Sequence, residues 1–392
     1  MNSVNFAPRK WVCLQCGLIA AVLAACAPSP AATAEPTEAP PTETALTIEA
    51  ATETEALIVA PTEAPTATPT PQPEGPFAPA SNNPVFNASK PGLLYVDPGA
   101  VIVADGTFHA FTNYGTGLNQ DVHHATSSDG IIWEAVGDDK NVLSVADTGY
   151  IWLAMPTTGL IQDDGTWVMY FYGWKDQKPF EELDNYSTII GRATSPGPDG
   201  PWTPDPEPVL KPGGSGAWDA HQIKHPTVVK TPEGYALFYT GITRSGEQAI
   251  GMANSTDGVH FTKYDDPATT DDKYAQSDPV LTAEASLAWD DTAVFQPSVQ
   301  LTPDGWVMIF KGSGSAGDPD SLGLALSDDG IHWTRSDDNP ILRPDAFKGG
   351  RVIWLANLQY VAGTYFLFIE LSRSANGSKS AIYLATHEGS LK

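Results

Sequence analysis

Six acid–base side chains stand out for the company they keep. Asp97 lies in Tyr95-Val96-Asp97-Pro98-Gly99, where a carboxylate could take a proton from an attacking water. Asp219 and Asp290 each follow a tryptophan, in Trp218-Asp219-Ala220-His221 and Trp289-Asp290-Asp291. A neutral acid at such a place needs a raised pKa, which burial or a second carboxylate supplies. His221 and His225 could move a proton or hydrogen-bond a ligand. Glu370 closes Phe366-Leu367-Phe368-Ile369-Glu370, and its distance from the start of its strand places it on the far side of the domain. Plainer roles compete. Asp97 could cap a strand start through backbone N–H groups, and a repeated Trp-Asp pair could be a structural corner.

What must position these groups is a unit written five times. Each copy has an apolar run, a tight glycine turn, an aromatic-rich run and a third strand. The turn glycines are Gly106, Gly165, Gly234, Gly305 and Gly363, spaced by 59, 69, 71 and 58 residues. A multi-strand unit of that period predicts an all-β fold, a five-bladed β-propeller. The first strands open at Asp97-Pro98, Pro156-Thr157, His225-Pro226, Gln296-Pro297 and Asn357. These positions are expected to share one register and converge on the central channel. The third strands end in Ser-x-Asp-Gly turns followed by Trp133, Trp202, Phe261 and Trp333, which are expected to wedge between blades.

Short runs resembling Asn-Pro-Val-Leu follow, at Asn141–Leu143, Pro208–Leu210, Pro279–Leu281 and Asn339–Leu342. They read as outer edge strands, where proline is tolerated. The fifth copy stands at the front, as Asn83-Pro84-Val85-Phe86. The ring is therefore expected to close through an N-terminal strand that completes the last blade, which removes an open sheet edge.

The blade openings, aromatic strands and Ser-x-Asp-Gly-x-x-Trp turns over residues 80–392 resemble the five-bladed glycoside hydrolases of families 43, 32, 62, 68, 117 and 130. The resemblance implies a sugar substrate at one channel mouth and two carboxyl groups flanking the scissile bond. Asp97 matches the base of family 43 in its Asp-Pro context. The other two members of that triad are replaced: His225 stands for the second aspartate, and Phe295-Gln296 for the acid glutamate. The acid would then come from Asp219, Asp290, or a histidine, as in family 117. Candidate sugar contacts are Trp152, Trp174 and Trp354 for stacking, with Thr157, His221, Gln296, Arg351 and Asn357 for hydroxyls. Two functions remain open, a glycoside hydrolase and a glycan-binding protein without turnover.

Residues 1–26 read as a lipoprotein signal peptide. Arg9 and Lys10 precede an apolar stretch that ends in Leu23-Ala24-Ala25-Cys26, and Cys26 is the expected lipidation site. Residues 27–75 hold eight Glu and no Lys or Arg among Ala, Pro and Thr, and read as a disordered tether. Residues 76–392 form the propeller domain. The protein is expected outside the cytoplasm, lipid-anchored and monomeric. A net charge of −26 argues against nucleic acid as a partner and against contact with anionic lipid other than through the anchor. No Walker loop or Gly-x-Ser-x-Gly elbow is present. No cofactor and no metal site is expected, a channel ion on His225 and waters being the single option.

Overall fold

The computed structural model describes residues 75–392, apart from 88–94, 117–118, 138–140, 145–146, 148–154, 175–186, 286–287, 318 and 375–378. The signal segment, Cys26, nearly all of the tether and Trp152 lie outside the described residues. Five antiparallel sheets follow one another along the chain as five propeller blades.

In each blade the hairpin with the turn glycine supplies the first two strands. Blade three is representative: Gln222–Thr231, Gly234–Ile242, Gln248–Ser255 and Thr262–Lys263 pair in that order. The second strands read as continuous apolar runs because both of their faces are covered. Successive side chains point to opposite faces of a strand, so they alternate between the preceding and the following blade. In Gly305–Ser313, Trp306, Met308 and Phe310 pack with Phe238 and Met252 of blade three. Val307 and Ile309 pack with Leu367 and Ile369 of blade five. The core is thus a set of slabs between blades. The turn aromatics hold these joints as expected. Trp133 meets Phe368 edge-on at 5.6 Å, Trp202 meets Phe111, Phe261 meets Tyr170, and Trp333 meets Phe238.

The front of the chain completes blade five. Ala78–Pro79 pairs with Ser380–Glu388, outside Thr364–Ser372 and Val352–Val361. Phe86 then bridges Ile382. The spacing matches blade four, where Thr334–Arg335 pairs with Ser321–Ser327 and Leu342 bridges Leu322. Asn83 donates to the Leu384 carbonyl at 2.8 Å and accepts its N–H at 2.7 Å. Asn339 does the same to Leu324, at 2.9 and 2.8 Å. Residues 78–86 are the displaced outer part of blade five, and the paired segment starts at Ala78, ahead of the Asn83 run.

Every first strand carries an irregularity where it enters the ring. The register shifts between Pro156 and Thr158, between Lys224 and Thr227, between Phe295 and Ser298, and between Ile353 and Ala356. In blade one the strand breaks at Asp97-Pro98-Gly99, between Tyr95–Val96 and Ala100–Ala104. Such bulges re-aim side chains at sheet ends.

Candidate functional site

The hairpins fix the register at the bulges. Six residues back from the residues that pair across each turn (Ala104, Thr231, Thr302 and Val361) stand Pro98, His225, Gln296 and Leu355. One residue earlier stand Asp97, Lys224, Phe295 and Trp354. The expected common register of Asp97, His225, Gln296 and Asn357 therefore does not hold. His225 and Gln296 share it. Asp97 lies one place before them, and Asn357 two places after.

Asn357 and Thr157 are committed to the ring itself. Asn357 donates to the carbonyls of Gly99 and Thr157, at 3.0 and 3.1 Å, across to blades one and two. Thr157 donates to the Pro226 carbonyl at 2.6 Å, and Thr227 does the same to Pro297. These bonds staple neighbouring inner strands.

Asp97 is buried, at 3% exposure. Its carboxyl accepts the Asn113 N–H at 3.1 Å, so it does cap the strand break. Burial nonetheless pushes its pKa up to about 7, against the lowering effect of the Asn113 and Gly99 backbone bonds. A second carboxyl lies in electrostatic range, and it is Glu370. Its place in the strand suggests the far side of the domain, and the structure brings it here instead. It is 5% exposed, and its Oε1 accepts the Ser380 hydroxyl at 2.6 Å. That same hydroxyl oxygen accepts the Val96 N–H at 3.3 Å, which ties the glutamate to the strand carrying Asp97. Burial first, and then the charge of Asp97, hold the Glu370 pKa well above the usual carboxylate range.

Counting forward six residues from Gly234, Gly305 and Thr364 explains how Glu370 arrives there. The count reaches Thr240, Lys311 and Glu370. All three address the following blade. The Thr240 hydroxyl accepts the Gln296 N–H at 2.8 Å. Lys311 donates to the Ile353 carbonyl at 2.7 Å and lies 5.1 Å over the Phe295 ring and 5.9 Å over that of Trp354. Lys224 and Lys311 both act on His225, and the charge of Lys311 also reaches Glu370. Burial, then the charges of Lys224 and Lys311, drive the His225 pKa well below its ordinary value, so the ring is neutral. Tyr172 meets that ring edge-on at 4.8 Å, and with Met155, Leu355 and Trp174 it forms a small apolar cluster.

Asp219 and Asp290 do not join Asp97. Each is fully buried and bound inside its own blade. Asp219 pairs with Lys263 and accepts from the Tyr239 hydroxyl at 3.0 Å and the Gly213 N–H at 3.1 Å. Asp290 pairs with Arg335 at 2.9 Å. The preceding tryptophans lie over glycines: a Cβ on Gly241 would stand 2.2 Å from Trp218, and one on Gly312 would stand 2.3 Å from Trp289. The Trp-Asp repeat is a corner device, as its repetition allows. His221 bonds through its backbone to Ile242, and Arg351 is exposed with its N–H on Ser372. Neither is drawn toward the carboxyl pair by a contact among the described residues. Nor, among those residues, do three His, Cys, Asp or Glu side chains gather as metal ligands would.

The fold and this site define a five-bladed propeller with a buried carboxyl pair at the joint of its first and last blades. Solved structures agree on the architecture. The chain is similar to a glycoside hydrolase at TM-score 0.61 and 17% identity, covering 82% of this chain and 94% of that one. It is similar to a glycosyl hydrolase from Bacteroides ovatus at TM-score 0.59 and 18% identity, covering 79% and 93%. A β-1,2-mannobiose phosphorylase from Listeria innocua matches at TM-score 0.56 and 13% identity, covering 80% and 96%. At these identities the likeness is one of fold. No protein-family profile matches the chain, and no curated protein matches it.

Proposed function

We propose that the chain is a carbohydrate-active protein, held outside the cytoplasm by a lipid on Cys26, and that it hydrolyses glycosidic bonds at the Asp97–Glu370 end of its channel. The observation that carries this is the carboxyl pair. Glycoside hydrolysis needs one carboxyl that holds its proton and one that releases it. Environments that separate two such groups assign their roles. Glu370, whose proton is held by burial and by the charge of Asp97, is the proton donor. Asp97, which titrates near neutrality, is the base. The sugar-acting proteins that share the fold support the same substrate class.

A second reading, glycan binding without turnover, draws on the backbone bonds of Asp97. A panel of aryl glycosides and plant or microbial oligosaccharides decides between them. Turnover by the wild type, reduced at least a hundredfold in Asp97→Asn and Glu370→Gln with sugar affinity kept, supports hydrolysis. Sugar binding with no turnover in the wild type supports the second reading. A wild type that neither binds nor cleaves any member sinks both.

A further inference from the structure

His225 and Gln296 each bury a side-chain polar atom that meets no partner, Nε2 of the histidine and Oε1 of the glutamine. The two residues are 7% and 8% exposed. They hold the same register in adjacent blades, and both lie at bulges with left-handed backbone, φ 52° and 54°. Non-glycine residues keep that conformation where the surroundings over-determine it, often at ligand sites.

One hydroxyl joins the two. Thr240 Oγ1 accepts the Gln296 N–H at 2.8 Å and lies 3.3 Å from His225 Nδ1. After accepting once, the hydroxyl keeps its proton and a second lone pair. In the arrangement where that proton goes to Nδ1, the neutral ring carries its hydrogen on Nε2. A polar side-chain atom of blade three and one of blade four, carried by residues that share the Thr240 hydroxyl, are left open. A buried donor or acceptor without a partner costs free energy, and an occupant that completes both removes the cost.

The chemistry selects the occupant. An ionised carboxylate or phosphate has no hydrogen to give the Gln296 oxygen, and an ammonium has no lone pair for the His225 N–H. A hydroxyl accepts and donates through one oxygen. We infer that His225 and Gln296 form a seat for a single hydroxyl of a neutral polyhydroxy ligand, with His225 Nε2–H donating and Gln296 Oε1 accepting. The seat rests on the carbohydrate reading and adds a specificity rule to it. A deoxy ligand lacking that hydroxyl would leave both atoms orphaned, and such losses discriminate strongly.

The test uses the full chain with ¹⁵N-labelled histidine. Without ligand, the His225 nitrogens should show hydrogen on Nε2. Hydrogen on Nδ1 overturns the seat whatever the ligand is. D-Glucose, D-galactose, D-mannose, D-xylose, L-arabinose and L-rhamnose are then titrated in turn, with calorimetry reporting binding. A sugar that binds should shift the His225 Nε2–H signal, and Gln296→Met should weaken it at least tenfold. Thr240→Val, which frees the ring to exchange tautomers, should weaken the same sugar while Thr240→Ser restores it. Binding that leaves the Nε2–H signal and the Gln296→Met affinity unchanged overturns the seat and spares the carbohydrate reading. The same titrations are run with the oligosaccharide panel, and no binding by any sugar of either set overturns the seat together with that reading.

Discussion

Asp97 of blade one raises the proton affinity of Glu370 of blade five across the joint where the ring closes. Both carboxyls hold protons more tightly folded than unfolded, where they titrate near 4. The stability they contribute is therefore complete below about pH 4 and is lost as the pH rises through about 7, the Asp97 value, and beyond. His225, kept neutral by burial, acts with the opposite sign below its ordinary value. The informative quantity is the difference between wild type and Glu370→Gln. In thermal unfolding from pH 4 to 8, the wild type should lose stability relative to the variant as the pH rises, because Glu370 binds its proton more tightly folded than unfolded. Parallel curves would show that folding leaves the proton affinity of Glu370 unchanged.

Asp219 should matter to the fold and not to the chemistry. Lys263→Met leaves a wholly buried carboxylate without its cation, which costs about 3–5 kcal/mol. Asp219→Asn should lower the urea midpoint while turnover per folded molecule stays within about twofold. A large fall in that turnover would return Asp219 to the candidate acids.

The Trp-over-glycine corner gives a steric expectation. Gly312→Ala sets a Cβ 2.3 Å from the Trp289 ring and 2.7 Å from Asp290 Cβ. Overpacking of this kind costs about 1–3 kcal/mol. Gly317→Ala meets nothing within 4 Å, but its φ of 82° still strains an alanine, so the contrast should be made with Gly197→Ala, which has neither problem. Chemical denaturation of the three variants should rank Gly197→Ala as the mildest.

If residues 78–86 repeat the outer part of a blade, Asn83→Ala and Asn339→Ala should behave alike. Each removes two hydrogen bonds to one residue of a third strand, Leu384 or Leu324. Leaving those backbone groups unpartnered costs about 1–3 kcal/mol. A much smaller loss for Asn83→Ala in calorimetric unfolding would mean that the front segment only rests on blade five.

The architecture was legible in the sequence and the site was largely not, for one physical reason. Blades are local hairpins, so turn glycines and strand runs announce them directly. A site depends on register, and register changes by a single residue. Gly234 and Gly305 close their turns by pairing with Thr231 and Thr302, whereas Gly363 sits inside its turn and Thr364 does the pairing. Counting from the glycines puts Ile369 beside Thr240 and Lys311; counting from the paired residues puts Glu370 there. Asn357 was a larger misreading, since it lies two places past the His225 register. Asp97 was legible because its Asp-Pro-Gly break marks itself. The Trp-Asp pairs were visible as a repeat, but only their basic partners on the fourth strands, Lys263 and Arg335, reveal what the aspartates bind.

The outer part of blade five is made first and needed last. Asn83 and its partner Leu384 stand 301 positions apart along the chain. During synthesis the segment around Asn83 emerges with no strand to join, and blades one to four can form before its partner exists. Contacts at that separation are slow to find. The ring is therefore sealed only after the whole domain has left the ribosome, and until then the blade that carries Glu370 lacks its outer strand.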